Sequence, residues 1–241
     1  MQYILETIAF NIDSCIKAQN AGVHRIELCD NPGEGGTTAS YGFIKAAREQ
    51  LQIDLYPIIR PRGGDFLYSS YDFEIIKADI KVCKELGCNG VVIGMLTENA
   101  NIDKIRCSIL VNIAYPMSVT FHRAFDRVAQ PEKALEDVIE IGCERILTSG
   151  FYPTALEGAS NLKTLITQAN NRIIIMPGSG VRASNIATIA VNTGAVEFHS
   201  SARNIQSTNM KFTAPFMNEN LQTVSTDTEE IQNMLLALQN I

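Results

Sequence analysis

Glu6, Glu27, Cys29, Arg60, Arg62, His122, Arg123, Thr148 and His199 all stand within short apolar runs or just past their ends. Alternate residues of a strand share a face, so Glu27 goes with Cys29, Arg60 with Arg62, Thr120 with His122, and Glu197 with His199. Charges of both signs on strands cost stability unless each is paired or hydrogen-bonded. As a set they suggest a polar ligand site, and one at a time they read equally well as satisfied ion pairs plugging the end of a barrel. His122 is the candidate general acid or base, because an unperturbed imidazole titrates nearest neutrality, with Glu27 or Glu6 as its carboxylate partner. Arg60, Arg62 and Arg123 would hold an anionic substrate or stabilise developing negative charge. The turn Pro177-Gly178-Ser179-Gly180-Val181-Arg182 follows the seventh run and opens a helix near Ser184-Asn185. Its amides make an anion site for phosphate or carboxylate, unless the glycines only shape the turn.

That constellation suits proton transfer beside a carbonyl, as in an isomerase, epimerase or lyase acting on a small phosphorylated or carboxylated metabolite. Schiff-base chemistry is set aside, since no assigned strand carries a lysine. A hard divalent metal held by Glu6, Glu27, Glu197 and a histidine is conceivable, but no compact ligand motif supports it.

Eight apolar runs must position these groups: Tyr3 to Ala9, His24 to Leu28, Leu55 to Ile59, Gly90 to Met95, Ser118 to Phe121, Arg145 to Leu147, Ile173 to Met176, and Ala195 to Phe198. Nearly every gap is long enough for one helix, and four helical patterns close on Gly22, Gly87, Gly142 and Gly194 before the next strand. Helix starts are expected at Asp13, Ser40, Asp72 and Pro131. Strand–helix alternation implies parallel strands, and eight units favour closure, so the expected fold class is α/β, a single (β/α)8 TIM barrel over 1–241. A doubly wound open sheet is the rival. In such barrels the chemistry sits at the C-terminal ends of the strands. Residues 204–241 form an extension: a polar, irregular stretch, then an amphipathic helix over Thr226 to Ile241 that closes the barrel or packs on a second subunit. The glycine-rich loops Asp30 to Ala39 and Arg62 to Ser70 suit lids.

The 241 residues are 46% apolar and 19% charged, with a net charge of −6, which is globular composition. An acidic balance argues against nucleic acid as a partner. No apolar stretch approaches the roughly 20 residues that cross a bilayer. Six cysteines without paired spacing, and no leader ahead of the first run, point to a reduced cytoplasmic setting.

The segments Glu27-Leu28-Cys29, Gly35-Gly36-Thr37-Thr38, Ile59-Arg60-Pro61-Arg62-Gly63-Gly64-Asp65-Phe66, Phe121-His122-Arg123-Ala124-Phe125-Asp126, Ile146-Leu147-Thr148-Ser149-Gly150 and Glu197-Phe198-His199-Ser200-Ser201-Ala202 resemble those of the CutC family from Met1 to about Arg203. Ser179 departs where the family often shows a further glycine, as does Thr38-Ala39-Ser40 where Thr-Pro-Ser is usual. The resemblance implies a (β/α)8 barrel, a cytoplasmic homodimer or homotetramer, a role in copper homeostasis, and a mouth site that includes Thr148 and His199. It brings no catalysed reaction. Cu(I) prefers clustered thiolate and thioether ligands, and the spacing offers none. Cys29 alone reaches the mouth, where Met95, Met176, His122 or His199 could join it, and a small buried apolar role is the plainer reading. Cys15, Cys83 and Cys107 fall on helices, while Cys88 and Cys143 fall on turns at the opposite end.

Overall fold

The computed structural model describes residues 3–241. Eight strands, β1 (Ile4–Ala9), β2 (Arg25–Leu28), β3 (Asp54–Pro57), β4 (Gly90–Ile93), β5 (Ser118–Phe121), β6 (Arg145–Thr148), β7 (Ile174–Pro177) and β8 (Glu197–Ser200), alternate with seven helices. These are α1 (Ile12–Ala21), α2 (Tyr41–Gln50), α3 (Ser70–Glu85), α4 (Lys104–Ala114), α5 (Pro131–Ile141), α6 (Ala159–Ala169) and α7 (Ile186–Thr193). All neighbouring pairs among the eight are parallel, in the orders β3-β2-β1-β8 and β4-β5-β6-β7. The two halves meet where Ile58 bridges Val92 and the Ile59 N–H donates to Val92 O at 2.8 Å, and again where β7 lies beside β8. The architecture is a (β/α)8 barrel.

Period-two alternation explains both faces of the wall. Leu5, Ile26, Leu55, Val91, Val119, Ile146, Ile175 and Phe198, one per strand, are buried in the apolar layer shared with the helices. Their neighbours point inward, and near the base these are polar. Arg25 donates to Glu6 and, at 2.6 Å, to Glu197, whose Oε2 also accepts from Arg145 at 3.3 Å. Both guanidiniums lie against Tyr56, 5.0 and 5.3 Å from its ring centroid. Two inward glycines, one opening β4 and one just past it, make room: a Cβ on Gly90 would collide with the Tyr56 ring, and one on Gly94 with His122.

Several boundaries differ from those expected. α1 is capped by Asn11, which accepts from the Ser14 N–H at 2.8 Å, so it starts ahead of Asp13. α3 begins with a capping box between Ser69 and Asp72. β8 lies two residues later than the run Ala195 to Phe198, because Ala195 and Val196 belong to the turn out of α7. The stretch after Arg203 is not all irregular: β9 (Arg203–Gln206) and β10 (Thr223–Thr226) form an antiparallel hairpin before α8 (Thr228–Gln239). α8 packs on α1 and α7 through Ile231, Met234 and Leu238.

Candidate active site

A cavity of about 260 Å³ opens at the C-terminal ends of the strands, lined in part by Glu27, Arg60, Phe66, His122, Arg123, Ser179, Gly180, His199, Ser201 and Arg203. Its floor is a chain of buried groups. Glu6 bonds Arg25 on one side, and on the other its Oε1 lies 2.7 Å from His199 Nδ1. His199 Nε2 lies 3.7 Å from Glu27 Oε2. Burial alone would raise the Glu6 carboxyl, but the Arg25 guanidinium and the His199 hydrogen bond hold it well below the usual range. Glu27 lacks such a partner. Burial, with the Glu6 charge assisting and the His199 charge opposing, pushes it up to about 7. His199 itself is raised, because the Glu6 hydrogen bond and the two carboxylates outweigh its burial.

His122 corrects an expectation. Burial, reinforced by Arg60, lowers it to about 3, so it is a neutral imidazole at any ordinary pH and does not titrate near neutrality. Its Nδ1 accepts from the Ala124 N–H at 3.1 Å, which puts the ring proton on Nε2. That nitrogen is buried and has no partner. The group is therefore a ready hydrogen-bond donor rather than a base.

The arginines divide. Arg60 gives three hydrogen bonds to loop carbonyls, those of Glu34, Gly36 and Gly64 at 2.6, 2.8 and 2.8 Å, and lies 5.2 Å from the Phe66 ring centroid. It clamps the two glycine-rich loops together, and its Nε remains without a partner. Arg123 donates to Asp126 and Ser149 and borders the cavity. Arg62 does not share the inward face with Arg60: β3 has ended by Pro57, alternation no longer applies, and its guanidinium binds Asp65 and the carbonyl of Leu67 on the outside. Thr148 is also displaced from the cavity. Its hydroxyl donates to Asp126 at 2.5 Å, and Asp126 further accepts from the N–H groups of Ser149 and Phe151.

The glycine turn contributes less than its sequence promises. The Gly178 N–H goes to Thr148 O, the Arg182 N–H goes to Asn185 Oδ1, and α7 starts only at Ile186. Ser179 and Gly180, both with left-handed backbones (φ +78° and +69°), do reach the cavity. They line it together with Ser201 and Arg203, two residues beyond β8 to which the sequence assigned no role of their own. Loops after the last two strands are where barrels of this kind hold phosphate.

A family profile decides relationship: the CutC family matches residues 3–204. The chain belongs to the CutC family. It is 52% identical to the family protein CutC of Chromobacterium violaceum over 212 residues, covering 88% of this chain and 86% of that one. It is 46% identical to the human copper homeostasis protein cutC homolog over 210 residues, 87% of this chain and 77% of that one. The crystal structure of CutC from Streptococcus agalactiae superposes with a TM-score of 0.80 at 35% identity, covering 83% and 99% of the two chains. Thiamine phosphate pyrophosphorylase of Pyrococcus furiosus, at 11% identity, 99% and 96% coverage and a TM-score of 0.62, shares the fold alone.

The mouth of this CutC-family barrel does not suit Cu(I). Its one cluster of metal-capable groups among the described residues is Glu6, Glu27 and His199, whose donor atoms lie within 4.8 Å of one another. Two carboxylates and an imidazole are hard to intermediate ligands, and Arg25 beside Glu6 opposes a further positive charge. Glu197 is not among them, being held by Arg25 and Arg145. Cys29 packs with Tyr56, Ile58 and Val92 beneath Gly36, outside the cavity lining. Burial and the nearby Glu27 charge push its thiol up, so a metal ion there would have to displace a firmly held proton.

Proposed function

We propose that this chain acts in the cytoplasm, that it serves copper homeostasis, as the names of its human and mouse relatives say of them, and that its mouth cavity takes a small anionic ligand. The family match over most of the chain supports the copper role. A homodimer or homotetramer belongs to the same proposal, and sedimentation at several concentrations tests it. Complementation of a CutC-deficient host under copper stress tests the physiological role. Equal copper tolerance with and without the chain would sink it.

A second reading, proton transfer on that ligand, is favoured by one observation: Glu27, raised to about 7, shares the cavity with a neutral His122 whose Nε2–H has no protein partner. At neutral pH Glu27 is divided between its acid and base forms, which is where a proton-transfer group works best. It would take a proton from carbon or hydroxyl while His122 donates to the oxygen that gains charge. The His199–Glu6 pair would receive the hydrogen-bonding load as Glu27 changes state. Ser179, Gly180, Ser201, Arg203 and Arg123 would hold the distal anion. A thermal-shift screen of phosphorylated and carboxylated metabolites should find one that stabilises the wild type, with the shift reduced in Glu27→Gln and His122→Ala. Unchanged shifts in both variants would remove the site from consideration.

A further inference from the structure

Four buried side-chain polar atoms have no hydrogen-bond partner among the described residues: Thr7 Oγ1, Arg60 Nε, Tyr68 OH and His122 Nε2. Two of them, on Arg60 and His122, belong to side chains that border the mouth cavity and rest against one ring. The Phe66 ring centroid lies 5.2 Å from Arg60 Cζ and 4.9 Å from the centroid of the His122 ring. An aromatic face accepts hydrogen bonds only weakly, so each donor carries most of the cost of an unmade bond. Neither is free to turn toward a better acceptor. Arg60 is fixed by the three loop carbonyls on its Nη atoms, and His122 by the Ala124 N–H on its Nδ1 and by Gly94, where any Cβ would strike the imidazole. Two anchored donors beside an apolar ring are costly as structure and useful as a site made ready for an acceptor.

We propose that Phe66 is a gate standing where the ligand binds: its ring swings aside, and a flat oxyanion of similar size, a carboxylate or an enediolate, accepts from Arg60 Nε–H and His122 Nε2–H in its stead. The inference rests on the anionic-ligand reading of the mouth and names the chemistry recognised there. The ring has somewhere to go. Phe66 also borders a second cavity of about 660 Å³, which Leu67, Leu96 and Ala100 help to line. Arg60 and Arg123 border both cavities, so the two adjoin at Phe66. The backbone there is pinned, because the Phe66 carbonyl accepts from the Leu96 N–H at 2.9 Å and Arg60 holds the Gly64 carbonyl at 2.8 Å. Opening is therefore a rotation of one side chain rather than the lifting of a loop. While the ring is in place the donors are closed to a ligand, so apparent affinity is reduced to the fraction of molecules in which it has swung out.

The test is a calorimetric titration of the whole chain with oxalate, a flat anion, run on wild type, Phe66→Ala and the double variant Phe66→Ala/His122→Ala. Phe66→Ala should bind oxalate about fivefold or more tightly than wild type, because the competing ring is gone, and the double variant should lose that gain. A ring that served packing alone would give the opposite sign, with binding weakened by its removal. In case Phe66→Ala folds poorly, the wild type gives an independent readout. With only three histidines to assign in protein isotopically labelled at histidine, oxalate should move the proton resonance of His122 Nε2–H downfield. Oxalate bound equally well by wild type and Phe66→Ala overturns the gate while leaving an anion site at the mouth. A gain that survives in the double variant, a His122 resonance that oxalate does not move, or no oxalate binding by any of the three proteins also overturns it, and the thermal-shift screen then judges the anionic-ligand reading separately.

Discussion

Glu27 and His122 are displaced in opposite directions by one cause, the dry mouth of the barrel, and the displacement shows in stability. Glu27 titrates near 7 in the folded chain and near its ordinary 4.5 when unfolded. The folded state therefore holds a proton that the unfolded state has released, so the stabilisation is full below about 4.5 and is lost as pH rises through 7. His122, lowered to about 3, works the other way: its contribution is present above about 6.5 and is lost as pH falls toward 3. Between pH 5 and 8 Glu27 should lower the unfolding free energy by about 1–3 kcal/mol. His122 contributes its opposite change to both proteins, so urea denaturation at both pH values should show the wild type losing that amount relative to Glu27→Gln. The same pH dependence in both proteins would mean that Glu27 is solvated. The sequence displayed both residues but not these directions. An imidazole's titration depends on what surrounds it, and what decides here, burial and then the Arg60 charge, comes from folding rather than from spacing.

Elements were legible where periodicity carried them. β5 matches the run Ser118 to Phe121 residue for residue, whereas the β9–β10 hairpin went unseen because all four β9 residues are exposed and give no alternating apolar signal. Arg62 was misplaced for a related reason: past Pro57 the chain leaves the strand, and a two-residue period no longer says which way a side chain faces. Arg60 shows what the departing chain does instead. Its three loop carbonyls tie the segment around Glu34 and Gly36 to that around Gly64. Arg60→Met should cost about 1–3 kcal/mol by leaving those carbonyls unpaired, and amide exchange should speed up in both loops together. Arg60→Lys should not restore protection, since an ammonium cannot reproduce the fork. Exchange unchanged in either variant would show that the loops hold without the clamp. α8 matters more. Fully burying Ile231, Met234 and Leu238 is worth roughly 5–9 kcal/mol in sum, comparable with the whole stability of an ordinary domain. A chain stopped after Thr226 should therefore lose its cooperative thermal transition, and a sharp transition near the wild-type temperature would demote α8 to a decoration.

At the scale of the molecule the barrel has two chemically different ends. Oxygen and nitrogen donors gather at the mouth, buried Cys83 and Cys88 lie at the base, and β4 leads from Asn89 just before it to Gly94 just after it, against His122. Cys88 and Gly94 are six residue steps apart, roughly 20 Å at the rise of a strand. Arg25, Glu197, Arg145 and Tyr56 fill the space between as a packed, mutually satisfied layer. Such a layer can insulate the ends or couple them. Changes that far apart with no shared partner usually add to within about 0.5 kcal/mol, so the stability losses of Glu27→Gln and Cys88→Ala should sum in the double variant. Mouth-ligand affinity should likewise be unaffected by Cys88→Ala. The coupling would travel through Arg25, because it alone bonds both Glu6, on the mouth's hydrogen-bond chain, and Glu197. A double variant off by more than about 1 kcal/mol, with the excess abolished by Arg25→Met, would make the charged layer a conduit between the base of the barrel and its mouth. Additivity would make the base and the mouth independent parts of one scaffold.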